Sequence, residues 1–127
     1  MKIISWNYRG LGSKKKLEAM RDLIQTSNPG VLLIQETKMK EEIFLLASQK
    51  FWKTTKGVSS SAWGALAGIG TLWKKQAFDL VQYISHMHWI VSILHHKESG
   101  VQVSILNIYV PTLLSEKRIV GLVSRMS

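Results

Sequence analysis

A chain of 127 residues, 46% of them hydrophobic and only 2 of them proline, is long enough for one domain with a buried core and too apolar for a disordered one. Seventeen Lys plus Arg against eight Asp plus Glu give a net charge of +9, a field that favours a polyanion such as nucleic acid or an anionic membrane surface; the bland alternative is a solubilising surface. The lack of cysteine excludes disulfides and thiolate zinc sites, no signal peptide precedes Asn7, and no apolar run reaches transmembrane length, so an intracellular chain, cytosolic or nuclear, is expected.

The segment "KIISW" is compact and β-branched and predicts a buried strand over Lys2–Trp6, followed by a glycine-marked turn in "NYRGLG". From Ser13, which has the chemistry of an N-cap, apolar residues recur at Leu17, Met20, Leu23 and Ile24, and Asn28, Pro29 and Gly30 end this helix. "VLLIQET" is a second buried strand. Strand, helix, strand in this order predicts two parallel neighbours joined by a right-handed crossover, so Asn7 and Glu36 should stand together at the carboxyl edge of one sheet, where open α/β sheets bind ligands.

A short helix is predicted between Lys40 and Gln49, then an edge strand and a loop of small residues within "KFWKTTKGVSSSAWGALAG". The segments "IGTLWKK", "FDLVQYIS", "HWIVSILHH" and "GVQVSILNIYVP" are strand-like, with a hairpin around His95 to Gly100. Beyond Pro111, Leu114, Ile119, Leu122 and Val123 fall at approximate helical spacing and predict a final helix. One domain, 1–127, is expected.

Several residues carry chemistry. A carboxylate such as Glu36 at the end of an apolar strand needs a partner, a metal or water, and one carboxylate suffices as the nucleus of a Mg²⁺ site, which keeps waters and phosphate oxygens as its other ligands. Asn7 offers donors and an acceptor without charge. Tyr109, before a proline, has a hydroxyl for a phosphate oxygen or is simply an aromatic packed at a sheet edge. Lys14, Lys15 and Lys16 begin a helix, where cations are disfavoured by the dipole; they form a solvated basic face or contact a nucleic-acid backbone. His86, His88, His95 and His96 lack an acidic or thiol companion at ligand spacing and are expected at surfaces or edges rather than on a metal.

Taken in order, "ISWNYRGLG", "NPGVLLIQETKM", "GIGTLWKK" and "ILNIYVPT" resemble the first motifs of the endonuclease/exonuclease/phosphatase superfamily. More narrowly, the chain is similar to the apurinic-type endonuclease domain of plant LINE-type (non-LTR) retrotransposons, whose opening segment is Trp-Asn-x-Arg-Gly-Leu-Gly. The resemblance implies an α+β fold, the four-layer α/β/β/α DNase I-like sandwich, with the site at one edge of two packed sheets. It implies that Glu36 is the ligand of Mg²⁺, or of Mn²⁺ in its place, and that Asn7 supplies the amide at the metal and phosphate. Tyr109 is implied to contact the phosphate, and Lys38 follows Glu36 as it often does in the apurinic-type branch; apart from the resemblance, Arg9, Lys14, Lys15, Lys16 and Lys38 are the basic residues expected to contact a nucleic-acid backbone. Arg9 stands where repair members commonly carry an acidic residue, which favours the retrotransposon branch.

The implied reaction is phosphodiester hydrolysis, with nicking of a DNA strand. The family's later motifs, Gly-Asp-x-Asn and Ser-Asp-His, do not occur in these 127 residues. The expectation is therefore a domain truncated to roughly its N-terminal half, with at most residual hydrolysis and an apolar sheet face left exposed. Two competitors remain, a non-catalytic basic nucleic-acid-binding remnant and a phosphatase-branch member with a small phosphoester substrate; the +9 charge disfavours the latter. Nuclear location follows only from the implied DNA substrate.

Overall fold

The computed structural model describes residues 1–7, 13–60, 68–110 and 118–126, with the backbone alone for 110 and 118–126. The elements run β1 (Ile3–Asn7), α1 (Lys14–Ser27), β2 (Val31–Gln35), α2 (Glu41–Phe51), β3 (Thr55–Ser60), β4 (Ile69–Lys74), β5 (Phe78–Ser85), β6 (Trp89–His96), β7 (Gln102–Val110) and β8 (Arg118–Met126). They form two four-stranded sheets, ordered β1-β2-β4-β3 and β5-β6-β7-β8. The fold is mixed α+β.

Local chemistry explains α1 and its setting. The Ser13 side chain accepts the Lys16 N–H at 3.2 Å, closing the N-terminus, and Asn28 ends the helix in the left-handed region at φ 46°. The chain then returns as β2, which pairs in parallel with β1 so that Asn7 lies opposite Gln35. Because β2 is flanked by β1 and β4 and covered on both faces, Val31 to Ile34 are all fully buried, which is why this strand is a continuous apolar run rather than an alternating one.

Alternation along β2 divides the core in two. Leu32 and Ile34 pack with Met20 and Ile24 of α1, Phe44 and Phe51 of α2, and Leu72 of β4. Val31 and Leu33 face the other way, against Ile90, Leu94, Val103 and Ile105 of the second sheet. The layers are thus two helices, a sheet and a second sheet. Among the described residues no helix covers the far face of that second sheet, and its edge strand β5 is exposed from Asp79 to Ser85, with Ile84 58% exposed. No helix among the described residues is long and apolar enough to cross a membrane.

One expected element is corrected. The final helix beyond Pro111 is replaced, over Arg118–Met126, by strand β8, antiparallel to β7 from Val110↔Arg118 to Gln102↔Met126. Leu114 lies outside the described residues. The physical reason is that "RIVGLVSRM" holds β-branched residues that suit a strand and a glycine that weakens a helix interior, while β7 has a row of backbone donors and acceptors that β8 satisfies. The other helices and strands form where the sequence pattern places them, α2 running two residues longer and β3 lying at a sheet edge.

Close packing of α2 on β4 depends on a missing side chain. A Cβ at Gly70 would overlap the fully buried ring of Phe44. Gly70→Ala is therefore expected to destabilise the chain by about 1–3 kcal/mol through overpacking. Urea denaturation measures it, and adding Phe44→Leu should recover part of the loss; additive losses would show that the clash is not the cause.

Candidate active site

The inner faces of the two sheets change character along their length. At one end they are apolar, and toward the carboxyl ends of β1, β2 and β7 the inward positions become Ser5, Gln35, Thr71 and Asn107. The Gln35 amide nitrogen donates to Ser5 Oγ at 3.0 Å and across the sheets to Asn107 Oδ1 at 2.9 Å. The Asn107 amide nitrogen in turn donates to the Gly70 carbonyl at 2.9 Å and to Thr71 Oγ1 at 3.2 Å. Gln35, Thr71 and Asn107 are buried and join β2, β4 and β7 in a polar belt, which the exposed Ser5 extends to β1. It also forms the floor of the edge where the residues singled out in the sequence meet.

Glu36 follows directly. A strand continued past Gln35 would send the next side chain to the helix face, with Leu32 and Ile34. Instead Glu36 has φ 56°, in the left-handed region that a non-glycine residue rarely occupies, and its carboxylate lies on the inter-sheet side, accepting the Tyr109 hydroxyl at 2.9 Å. Both residues are buried, Glu36 at 1% exposure. Holding such a conformation costs of order 1–3 kcal/mol, and it persists only where the surroundings over-determine it. Here Thr37, fully buried, donates its N–H to Gly68 O at 3.1 Å and accepts the Met39 N–H on its hydroxyl at 3.3 Å, so the segment is tied down directly after the strained residue.

Asn7 ends β1 in register with Gln35, one residue from Glu36 on the neighbouring strand, and its Oδ1 is buried with no hydrogen-bond partner among the described residues. A carboxylate and a carboxamide oxygen at one strand edge are hard donors of the kind that suits Mg²⁺ or Mn²⁺, and one protein carboxylate is within the usual complement for Mg²⁺. No group of three or more His, Cys, Asp or Glu side chains suited to a metal occurs among the described residues. The donors present therefore fit a cation that keeps substrate or water oxygens, and they do not fit a closed all-protein cage.

The basic residues are placed by topology. Lys14, Lys15 and Lys16 open α1, which leaves the carboxyl end of β1, so they sit at the same edge as Asn7; Lys14 and Lys15 are exposed and Lys16 partly buried. Lys38 is exposed, two residues beyond Glu36, at φ 55°. Arg9 lies outside the described residues. Sequence reasoning missed Gln35 and Asn107, although each is a polar side chain at an inward position of an otherwise apolar strand, which is the signal that marks a buried network.

No protein-family model and no curated protein sequence matches the chain. Solved structures do. The AP endonuclease LMAP from Leishmania major is 19% identical, with a TM-score of 0.65 over 86% of this chain and 40% of its own. A humanized D. rerio TDP2 is 16% identical, with a TM-score of 0.56 over 79% of this chain and 43% of its own. TDP2 from C. elegans is 20% identical, with a TM-score of 0.55 over 87% of this chain and 36% of its own. These neighbours are members of the endonuclease/exonuclease/phosphatase superfamily, and the likeness shows that this chain has their DNase I-like fold. The chain spans about two fifths of the length of the solved structures it matches.

The polar belt makes a test of its own. Asn107→Leu keeps the volume but strips the Gly70 carbonyl and Gln35 of a partner, and is expected to cost about 2 kcal/mol or more. In a double-mutant cycle with Gln35→Leu, urea melts should give a coupling above about 0.5 kcal/mol; additivity within that limit would mean that the two amides do not stabilise each other.

Proposed function

We propose that the chain is part of a Mg²⁺-dependent DNA endonuclease of the LINE-retrotransposon type, contributing the metal-binding wall of a strand-nicking site. The observation that carries this reading is Glu36, a carboxylate at φ 56° that accepts the Tyr109 hydroxyl, one residue along from the Gln35 that pairs with Asn7, whose buried amide oxygen has no partner among the described residues. The DNase I-like fold and the motif order around Asn7, Glu36 and Tyr109 support the superfamily's chemistry, and "SWNYRGLG" supports the retrotransposon branch. The net charge of +9, with Lys14, Lys15 and Lys38 exposed at the same edge, supports a long polyanionic substrate over a small phosphoester.

Glu36 and Asn7 would hold the cation, and Mg²⁺ or Mn²⁺ bound there supplies charge neutralisation for the phosphate oxygens as the phosphodiester is cleaved. The chain's own residues orient and bind. The Tyr109 hydroxyl donates to Glu36 and, on this reading, would pass its hydrogen bond to a phosphate oxygen when the strand binds. Asn7 orients the same phosphate without adding charge. Lys14 to Lys16 and Lys38 draw the backbone of the DNA to this edge and give binding its salt dependence, to which the charge of Arg9 adds. The group that takes a proton from the attacking water corresponds, in the resemblance, to a His-Asp pair in motifs absent from these 127 residues, so hydrolysis by this chain alone is expected to be residual.

The exposed lysines also support a second reading, a non-catalytic DNA-binding module. One set of measurements separates the two. Mg²⁺ at tenfold its dissociation constant should stabilise the chain by about 1.4 kcal/mol, seen as a rise of a few degrees in Tm, and Glu36→Gln should abolish that rise. DNA retention should weaken steeply with salt, and Lys14→Ala should lower the slope of log K against log salt by about 0.9 if that lysine meets one phosphate. Retention with no plasmid nicking at all favours the binding module. Nicking that persists in Glu36→Ala overturns the metal assignment.

A further inference from the structure

The sharp turn between β5 and β6 places a histidine at the same edge. His86 donates its N–H to the Trp89 carbonyl at 2.8 Å, so Met87 and His88 form a two-residue turn, and the Tyr109 N–H donates to the His88 carbonyl at 2.9 Å. His88 is thereby fastened by its main chain to the residue whose hydroxyl holds Glu36. The turn is also braced by its rings. The His86 imidazole stacks on the Trp89 indole with centroids 5.3 Å apart and planes at 8°, and lies 6.4 Å from the His88 ring.

The two nitrogens of His88 have different surroundings. Nδ1 is buried and has no hydrogen-bond partner among the described residues, while the residue as a whole is partly exposed. A proton on Nδ1 would leave a buried donor with no acceptor, which is costly, so the neutral ring carries its proton on Nε2. The imidazole therefore offers an Nε2–H donor from the turn that is fastened to Tyr109.

We propose that His88 is a substrate-contacting residue of this site, donating its Nε2–H to a phosphate oxygen of the bound strand; the proposal rests on the phosphodiester reading above. Its signature differs from that of a lysine. It contributes one directional hydrogen bond, which a side chain that keeps an N–H restores in part.

The test uses a fluorescently labelled DNA duplex in anisotropy titrations across a salt series with Mg²⁺ present. His88→Ala is expected to weaken binding about tenfold, the scale of one hydrogen bond to a charged group. His88→Gln, which retains an N–H, should recover part of the loss, and His95→Ala, on the same strand at its far end, should change nothing. ¹⁵N spectra of the wild-type imidazoles need no variant: they should show the Nε2–H tautomer, with its Nε2 signal moving as duplex is added. An Nδ1–H tautomer, an unmoved signal at saturation, or unaltered affinity in His88→Ala overturns the assignment. If DNA binding responds to Lys14→Ala and Glu36→Gln but not to His88→Ala, only the His88 proposal fails; if the duplex does not bind, or none of these changes matters, the phosphodiester reading fails with it.

Discussion

The hydrogen bonds of Asn107 to Gln35, the Gly70 carbonyl and Thr71 are the tie on which the site depends, because there the second sheet grips the first with directional contacts. The apolar residues around it, Val31, Leu33, Val103 and Ile105, drive the sheets together, but such burial is indifferent to small sliding motions. Gln35 and Asn107 are not indifferent: with Ser5, Thr71 and the Gly70 carbonyl as further partners, a slide of one sheet would strand several buried polar groups together. The register between sheets is thus fixed nearest the place where it matters.

That register decides whether Tyr109, two residues beyond Asn107 on β7, meets Glu36, one residue beyond Gln35 on β2. The same short steps along two strands turn a structural pair of amides into a pair with chemistry, a hydroxyl on a carboxylate at 2.9 Å. The left-handed conformation of Glu36 belongs to this arrangement. It breaks the strand alternation so that two successive side chains, Gln35 and Glu36, both serve the inter-sheet side, one structural and one reactive. A relaxed strand end would leave the carboxylate among the helices, where Met20 and Phe44 offer it nothing.

Much of this was legible in the sequence, for identifiable reasons. Ser13, the apolar spacing from Leu17 to Ile24, and the Asn28-Pro29-Gly30 stop specify α1 locally, and "VLLIQ" could only be a strand buried on both faces. From those elements alone the parallel pairing, and with it the adjacency of Asn7 and Glu36, follows. Illegible were the facts set by distant partners. Arg118–Met126 has a spacing compatible with helix or strand, and the need of β7 for a neighbour decides in favour of the strand. The φ of Glu36 is imposed by Tyr109 and by the anchored Thr37, and no local residue type announces it. Asn107 was visible within "ILNIYVP" as part of a motif, yet its partner lies 72 residues away. His88 looked like a surface histidine because its significance lies in a backbone bond to Tyr109 that only the sheet creates.

The two sheets do not contribute equally. The first is clamped between α1 and α2 on one side and the second sheet on the other, so Asn7 and Glu36 stand on a platform buried on both faces. The second is packed on one face only, and its outer strand β5 is solvent-exposed, so Tyr109 and His88 are carried by a layer whose placement relies on its inner contacts. Local opening is drawn from regions with few buried contacts. The polar belt therefore acts as the stop that keeps the looser layer in line with the rigid one, and the Glu36–Tyr109 hydrogen bond is where any slippage between them would first be felt.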